Sequence, residues 1–593
     1  MPPRRWAISA ILGAAVHRAP TAQACTVFAA GRGATKDGSV LVSHSDDGAP
    51  ANDARLIYVP ARDHSPGSKR PIFYTPENFP RYLGPAMGPG YLPDADTAGF
   101  NVSEPIGFID EVEHTYGYQS GSYAVLNDQG LAIGESTCGA VFGTCGKGSS
   151  VACEPGRQVG VALMSIDTLS YLAAERCASA REAVQLMGDL AVEHGFYGPP
   201  DSFEGSGESL IVGDPEEAWA FQILSDPTGT SAIWAAQRVP DAHVTVVANM
   251  YTIRVVDAND TSNFMLSPNL FDAARERGWW RDGEPFDFTK MYSGGEYAHK
   301  YYSGRRMWGG FRRASPSLSL PDEYEDIRYK PVYPWSVKPD RPVDHRDIIS
   351  WHRDWYAGTK YDMTKGIQAG PFGTPDRFAT YSKQVQGNWE RSIALYRTNA
   401  VYVSQLRRPT TGEPQGLSSV AWYGAGAAHY APFVPIVVGA TRSIAPLAAA
   451  PPRNASRASM NWATRMVMNV CQIRFDKMHA LVEAAQGAAE AQGERLVASL
   501  REKYWGAGGI DAGVVNDAIE QHAEEVLRTW QDLKDRMLFT FSDNDDMASG
   551  GFAPLSYPAP WLAASGYAGG PPPAPVEDQC PPKCGGAAGD VLV

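Results

Sequence analysis

Short apolar runs separated by turn residues dominate the chain from residue 25 onward. Thr26-Val-Phe-Ala-Ala, a turn at Lys36-Asp-Gly and Ser39-Val-Leu-Val-Ser predict a hairpin that begins at Cys25, in a strand-rich stretch reaching about Ile57. Tyr123-Ala-Val-Leu-Asn, Gly130-Leu-Ala-Ile-Gly, Ser209-Leu-Ile-Val-Gly, Glu217-Ala-Trp-Ala-Phe and Val244-Thr-Val-Val-Ala carry the same compact apolar signature and predict further strands. Between them, Leu169 to Gly188 repeats Ala and Leu at helical spacing. Residues 60–105 are rich in Pro, Gly and aromatics without a period, which predicts a long ordered loop suited to walling a pocket. From about 459 to 541 the pattern turns strongly helical, with Gly508-Gly509 dividing it into two halves. After 545 the Pro571-Pro-Pro-Ala-Pro and Gly585-Gly586 segments predict an extended tail.

Strands on either side of a helical layer, without regular strand–helix alternation, predict an α+β fold and not a nucleotide-binding parallel sheet. The shifts in pattern divide the chain into 1–24 as a leader, 25–455 as the main domain, 456–545 as a helical extension and 546–593 as a Pro/Gly-rich tail. At 593 residues, 44% hydrophobic and 20% charged, the chain has ample material for a large core. No run of 18 apolar residues occurs, so no membrane span is expected.

The leader places Arg4 and Arg5 before the apolar Ala7 to Val16 and ends in Ala22-Gln23-Ala24, the order of a secretory signal. Export is therefore expected, to a periplasm, lumen or extracellular space. A lipid anchor on Cys25 is the rival, and Gln23 is too large and polar for it. The formal charge of -14 falls to -17 when Arg4, Arg5 and Arg18 leave with the leader, which disfavours nucleic acid as a partner. Cys138, Cys145 and Cys153 lack CxxC spacing and a nearby histidine, which points to local disulfides and away from a metal site. Asn101-Val-Ser, Asn259-Asp-Thr and Asn454-Ala-Ser are sequons, meaningful only in a glycosylating host.

No HExxH, Gly-x-Ser-x-Gly, P-loop or dinucleotide fingerprint is present. His345 and His352, seven apart, fit core or surface hydrogen bonding better than zinc, and no cofactor or metal is expected. A cysteine at a cleavage point has a chemical advantage of its own: the freed α-amine titrates near about 7.7–8.0 and can take the thiol proton at working pH. Nucleophile and base then reside on one residue. The plain alternative is that Cys25 is merely the first cysteine of an exported protein.

The surrounding residues narrow the choice. Cys25-Thr-Val-Phe-Ala-Ala-Gly, Ala34-Thr-Lys-Asp-Gly-Ser-Val-Leu-Val and His44-Ser-Asp-Asp-Gly together resemble the start of the dipeptidase A family (PepD-like) of N-terminal-nucleophile hydrolases. The resemblance continues through Asn127-Asp-Gln-Gly-Leu-Ala-Ile-Gly-Glu-Ser-Thr, Val246-Val-Ala-Asn-Met-Tyr-Thr-Ile-Arg and Tyr361-Asp-Met-Thr-Lys-Gly-Ile-Gln-Ala-Gly-Pro-Phe-Gly-Thr-Pro-Asp-Arg. Trp389-Glu-Arg-Ser, Arg397-Thr, Gln405-Leu-Arg and Pro432-Phe-Val-Pro extend it to about residue 440.

The resemblance implies a four-layer αββα fold and cysteine-dependent hydrolysis of dipeptides, with Cys25 as nucleophile. In related hydrolases an Asp roughly twenty residues after the nucleophile supports the amino group, which implies Asp46, with Asp47 as close rival. Such enzymes often carry Arg three residues before that Asp, where this chain has Ser43; His44 is a substitute source of positive charge. Asn249 matches the position of an oxyanion-binding amide, and Thr137 or a backbone N–H beside it could add a second donor. Glu135 is a candidate for the substrate ammonium, and Arg254 and Arg391 compete to bind its carboxylate. Asp362 and Arg377 are assigned to fixing a loop. The implied partner is a small peptide; a homo-oligomer is left open. Two rival readings stand: the same site acting on N-acyl amino acids, penicillin or bile-salt-like amides, and a noncatalytic secretory protein of the same fold.

Overall fold

The computed structural model describes residues 25–48, 51–74, 77–148, 160–198, 207–295, 300–323, 333–378, 390–449, 455–547 and 553–567. The expected leader, Cys153, Asn454 and the tail beyond 567 lie outside the described residues.

Cys25 stands immediately ahead of the Val27–Ala30 strand, which turns through the Lys36-Asp-Gly segment into Val40–Asp46. Gly38 adopts φ 74°, a left-handed conformation that favours glycine in a tight reversal. The two strands pair antiparallel, Ala29 opposite Val42 and Ala30 opposite Leu41, so the expected hairpin forms. It sits inside a seven-stranded sheet ordered 336–337, 244–247, 27–30, 40–46, 400–406, 420–424, 433–437. An eight-stranded sheet runs 264–266, 232–238, 218–225, 207–213, 132–138, 124–127, 118–120, 57–59. Every pairing in both sheets is antiparallel, which makes the architecture mixed α+β.

The two sheets meet at Ala132–Cys138 and Val40–Asp46. Gly134 permits the approach: a Cβ there would lie 2.4 Å from the Ser43 carbonyl oxygen and 3.2 Å from Val27 Cγ1. Only Ala132 of its strand pairs with the 124–127 strand. Beyond it the two strands part, and the Tyr402 hydroxyl crosses from the other sheet to donate to the Ile133 carbonyl at 2.5 Å.

The helices Ile166–Arg176 and Ala180–His194 cover the eight-stranded sheet. The expected single helix over 169–188 is thus two, because Cys177 is extended and Ser179 caps the second by accepting from Glu182 N. Arg305–Ala314, His345–His352, Phe475–Lys503 and Ala512–Thr540 cover the seven-stranded sheet. In the last, Val515, Ile519, Ala523, Val526, Trp530, Leu533 and Met537 recur three and four apart and are all buried. They share one apolar cluster with the central strands, and Trp530 Nε1 donates to the Tyr430 carbonyl at 3.0 Å. Gly508, at φ 74°, lies in the connection between the two long helices. Within 60–105 the loop is punctuated by a Lys69–Phe73 strand paired to Pro105–Asp110 and by two short 3₁₀ turns. Among the described residues no helix is long and apolar enough to cross a membrane.

Candidate active site

Strand alternation sets the site. Along Val40–Asp46, Ser43 and Ser45 point to one side, bonding the amides of Phe28 (3.0 Å) and Thr26 (3.2 Å). His44 and Asp46 point to the other, toward the eight-stranded sheet. The His44 ring packs edge-on against Tyr123 and Tyr402, and Asp46 Oδ2 accepts from Ser122 at 2.9 Å. Where the 124–127 and 132–138 strands part, Cys25 Sγ, a His44 ring nitrogen and a Glu135 carboxylate oxygen converge, all within 4.8 Å of one another. All three residues are buried.

The backbone of Cys25 is clamped. Its carbonyl accepts from Arg306 Nη1 at 2.7 Å and from Ser136 Oγ at 3.4 Å. Arg306 also donates to Thr26 Oγ1 (3.0 Å) and Asn249 Oδ1 (2.8 Å). Asn249, just past the Val244–Val247 strand, holds φ 54°, a left-handed conformation that Asn tolerates better than most side chains. Its backbone N–H donates to Ser136 Oγ (2.8 Å) and its side-chain amide to the Thr137 carbonyl (2.7 Å).

The electrostatics are strongly acidic. Burial, then the charges of Glu135, Asp46 and Asp47, push the Cys25 thiol well above its ordinary range, so it is a neutral thiol unless a base acts on it. Burial also raises Asp46. Burial acts on Glu135 in the same direction, but the hydrogen bonding and charge of His44 outweigh it and Glu135 is lowered. Glu208, opposite Thr137 in the neighbouring strand, is driven far up by burial and by Glu135. Two neighbouring buried carboxyls resist ionising together, so the pair favours a protonated Glu208 beside Glu135. Glu77, which accepts from Tyr123 (2.6 Å), is raised by burial and by Asp46. Arg306 is lowered to about 10 by burial and by Arg391.

The structure thus brings Cys25, Asp46, Glu135 and Asn249 into one connected group, with Thr137 donating to Glu135 at 2.7 Å. Asp47 lies on the other side of its strand, accepting from Arg391 (2.5 Å), Ser45 (3.2 Å) and Thr398. Arg391 is therefore committed to Asp47, and Arg254 to Asp287 at 2.7 Å; neither is placed as an open carboxylate receptor. His345 stacks on Trp422 and contacts Glu494 (3.1 Å), and His352 bonds Ser43 (2.8 Å), consistent with core roles. Asp362 accepts from Thr364 and Arg377 donates to backbone carbonyls, as loop-fixing residues do. Cys145 is disulfide-bonded, whereas Cys138 is a thiol directed at the Ser136 carbonyl (3.2 Å), so the expected local bridging does not include Cys138.

Sequence reasoning missed Arg306, Glu208 and Glu77. Arg306 stands in Arg305-Arg306-Met-Trp, which reads as an ordinary basic helix start. Its target lies 281 residues away. Glu208 directly precedes a recognised strand, and an acidic residue at the edge of an apolar run was the available signal.

The class of protein that this fold and site describe is a hydrolase. The profile of Peptidase family C69 matches residues 146–488, a span that includes Glu208, Asn249 and Arg306. The chain belongs to peptidase family C69. A "Probable dipeptidase" of Latilactobacillus sakei is 24% identical over 424 residues, 70% of this chain and 74% of that protein. A "Probable dipeptidase" of Salmonella dublin is 24% identical over 425 residues, 70% of this chain and 81% of its own. A "Dipeptidase" of Bifidobacterium longum is 24% identical over 523 residues, covering 85% and 86%.

Proposed function

We propose that the chain is an exported cysteine dipeptidase whose active form begins at Cys25, folded as the four-layer αββα sandwich of N-terminal-nucleophile hydrolases. The observation that carries this reading is the Cys25 thiol at the head of the central hairpin, buried among carboxylates with its carbonyl clamped by Arg306. The family match and the dipeptidase names of the relatives supply the substrate class.

The electrostatics make the missing base explicit. Carboxylates that penalise a thiolate equally stabilise a cation beside it. A free α-ammonium on Cys25 is such a cation, and Asp46 on the same side of the neighbouring strand is the residue to support it. The amine takes the thiol proton, sulfur attacks the amide carbon, and the oxyanion is met by the Asn249 side chain. The departing amine leaves with the proton and a thioester remains. Water, activated by the α-amine, then breaks the C–S bond, giving the free acid and restoring the thiol. In this reading Glu135 receives the substrate ammonium, which the hydrogen bond from Thr137 to its carboxylate supports. The signal-like leader supports export.

The test is a panel of free dipeptides and their N-acetylated counterparts, hydrolysed by the mature enzyme and by Cys25→Ala. Free dipeptides should be preferred, and the variant should lose several orders of magnitude in kcat while keeping its circular dichroism. Preference for blocked substrates would favour the N-acyl amide reading. A variant with more than about a tenth of normal turnover would remove Cys25 as nucleophile.

A further inference from the structure

The convergence of Cys25, His44 and Glu135 has a second chemical meaning. A thiol, an imidazole and a carboxylate are the S, N and O donors that zinc(II) takes in proteins. Their ligand atoms lie within 4.8 Å of one another. His44 Nε2 and Glu135 Oε2 are 3.4 Å apart, longer than a charge-assisted hydrogen bond of about 2.7–2.9 Å. That spacing is close to the edge of a tetrahedron whose arms are about 2.0–2.1 Å. Both atoms are buried and face only each other, with no hydrogen bond of ordinary geometry to any other described residue, so a zinc ion could take both as ligands while the imidazole gives up any proton it carries to solvent. The surroundings favour a cation, with Asp46 and Asp47 adding negative charge at Cys25.

We propose that Cys25, His44 and Glu135 form a zinc(II) site whose occupation inhibits the enzyme reversibly. On binding, the S–H bond of Cys25 breaks, a Zn–S bond forms and the proton passes to solvent. The lone pair needed for attack on an amide is then engaged by the metal. In the form beginning at Cys25, on which the functional reading rests, the α-amine closes a chelate ring with the sulfur as a fourth ligand. The metal is no cofactor in this scheme: it occupies the nucleophile, and chelators relieve it.

The experiment uses the full enzyme beginning at Cys25, metal-stripped, with Zn²⁺ in equilibrium dialysis and Co²⁺ as the optical probe. One zinc per chain should bind, and Co²⁺ should give a thiolate-to-metal charge-transfer band that disappears in Cys25→Ser. His44→Ala and Glu135→Gln should each weaken zinc by at least about ten-fold, because each removes one ligand. On the unaltered protein, stoichiometric zinc should protect Cys25 from iodoacetamide, mapped by mass spectrometry, a readout independent of whether any variant folds. Absence of bound zinc, or zinc bound with neither the charge-transfer band nor protection of Cys25, overturns the site. None of these readouts uses hydrolysis. Dipeptide turnover without zinc binding removes only the metal site, whereas zinc binding without turnover supports the site and removes the functional reading.

Discussion

Arg306 concentrates the logic of the site in one side chain. It is fully buried, no carboxylate lies within ion-pair distance among the described residues, and besides the Tyr302 and Ala248 carbonyls its donors reach Cys25, Thr26 and Asn249. A guanidinium can reach all three acceptors from one fixed plane, which an ammonium cannot. Arg306→Lys should therefore keep the charge yet lower kcat/KM by at least about ten-fold, with most of the loss in kcat, since what is lost is the alignment of nucleophile and Asn249. Steady-state kinetics with a melting curve tests this; an unchanged kcat would show that the clamp is structural only. Cys25 stood out in the sequence as the candidate nucleophile because a signal-like segment, the cysteine and a predicted hairpin are contiguous. Arg306 was not, because contacts across 281 residues leave no local pattern. The preference for Asp46 over Asp47 gains a physical basis in strand alternation, which puts Asp46 beside His44 and Asp47 against Arg391.

At the scale of elements, the site depends on how closely two strands cross. Gly134→Ala inserts a methyl group 2.4 Å from the Ser43 carbonyl, too near for a side chain to yield, so the strands must separate. A cost of about 1–3 kcal/mol is expected. Because Glu135 and Ser136 follow directly, activity should fall further than stability. Denaturant midpoints and kcat/KM measured together check this, and full activity with an unshifted midpoint would contradict the close packing.

The Ile166–Arg176 helix adds a pH dependence. Burial raises Asp167, in its first turn, to about 6, against an unfolded value of about 3.9. The folded state holds this proton more tightly. Its stabilising effect is full below about 3.9 and is lost as pH rises through about 6, on the order of 3 kcal/mol. Asp167→Asn cannot ionise and can still accept from Ser165. Its stability relative to the parent should climb between pH 4 and pH 7 and then level; a constant difference across that range would refute the assignment. The sequence showed this helix by its Ala and Leu spacing but not its break at Cys177–Ser179, because the apolar period passes through a cap without interruption.

Across the whole molecule, the hairpin that starts at Cys25 is framed by layers drawn from distant parts of the chain. The α+β class and most of the strands were legible, since each strand is a compact apolar run. The sheet order was not: the 40–46 strand pairs with 400–406, and no periodicity records that partner. The helices after 460 were legible as helices, yet not as part of the core that Trp530 and Met537 share with the central strands. All these layers converge on the Cys25 thiol, whose neutral resting state demands a base at hand. The decisive measurement compares two forms of the protein, one beginning at Cys25 and one carrying an uncleavable Ala-Ala ahead of it, each verified by mass spectrometry. An amide nitrogen cannot accept the thiol proton near pH 7, whereas an α-amine titrating near about 7.7–8.0 can. The first form should hydrolyse dipeptides, and the second should fold and be nearly inert. Equal activity in the two would contradict the account and move the base to another group, with His44 the nearest.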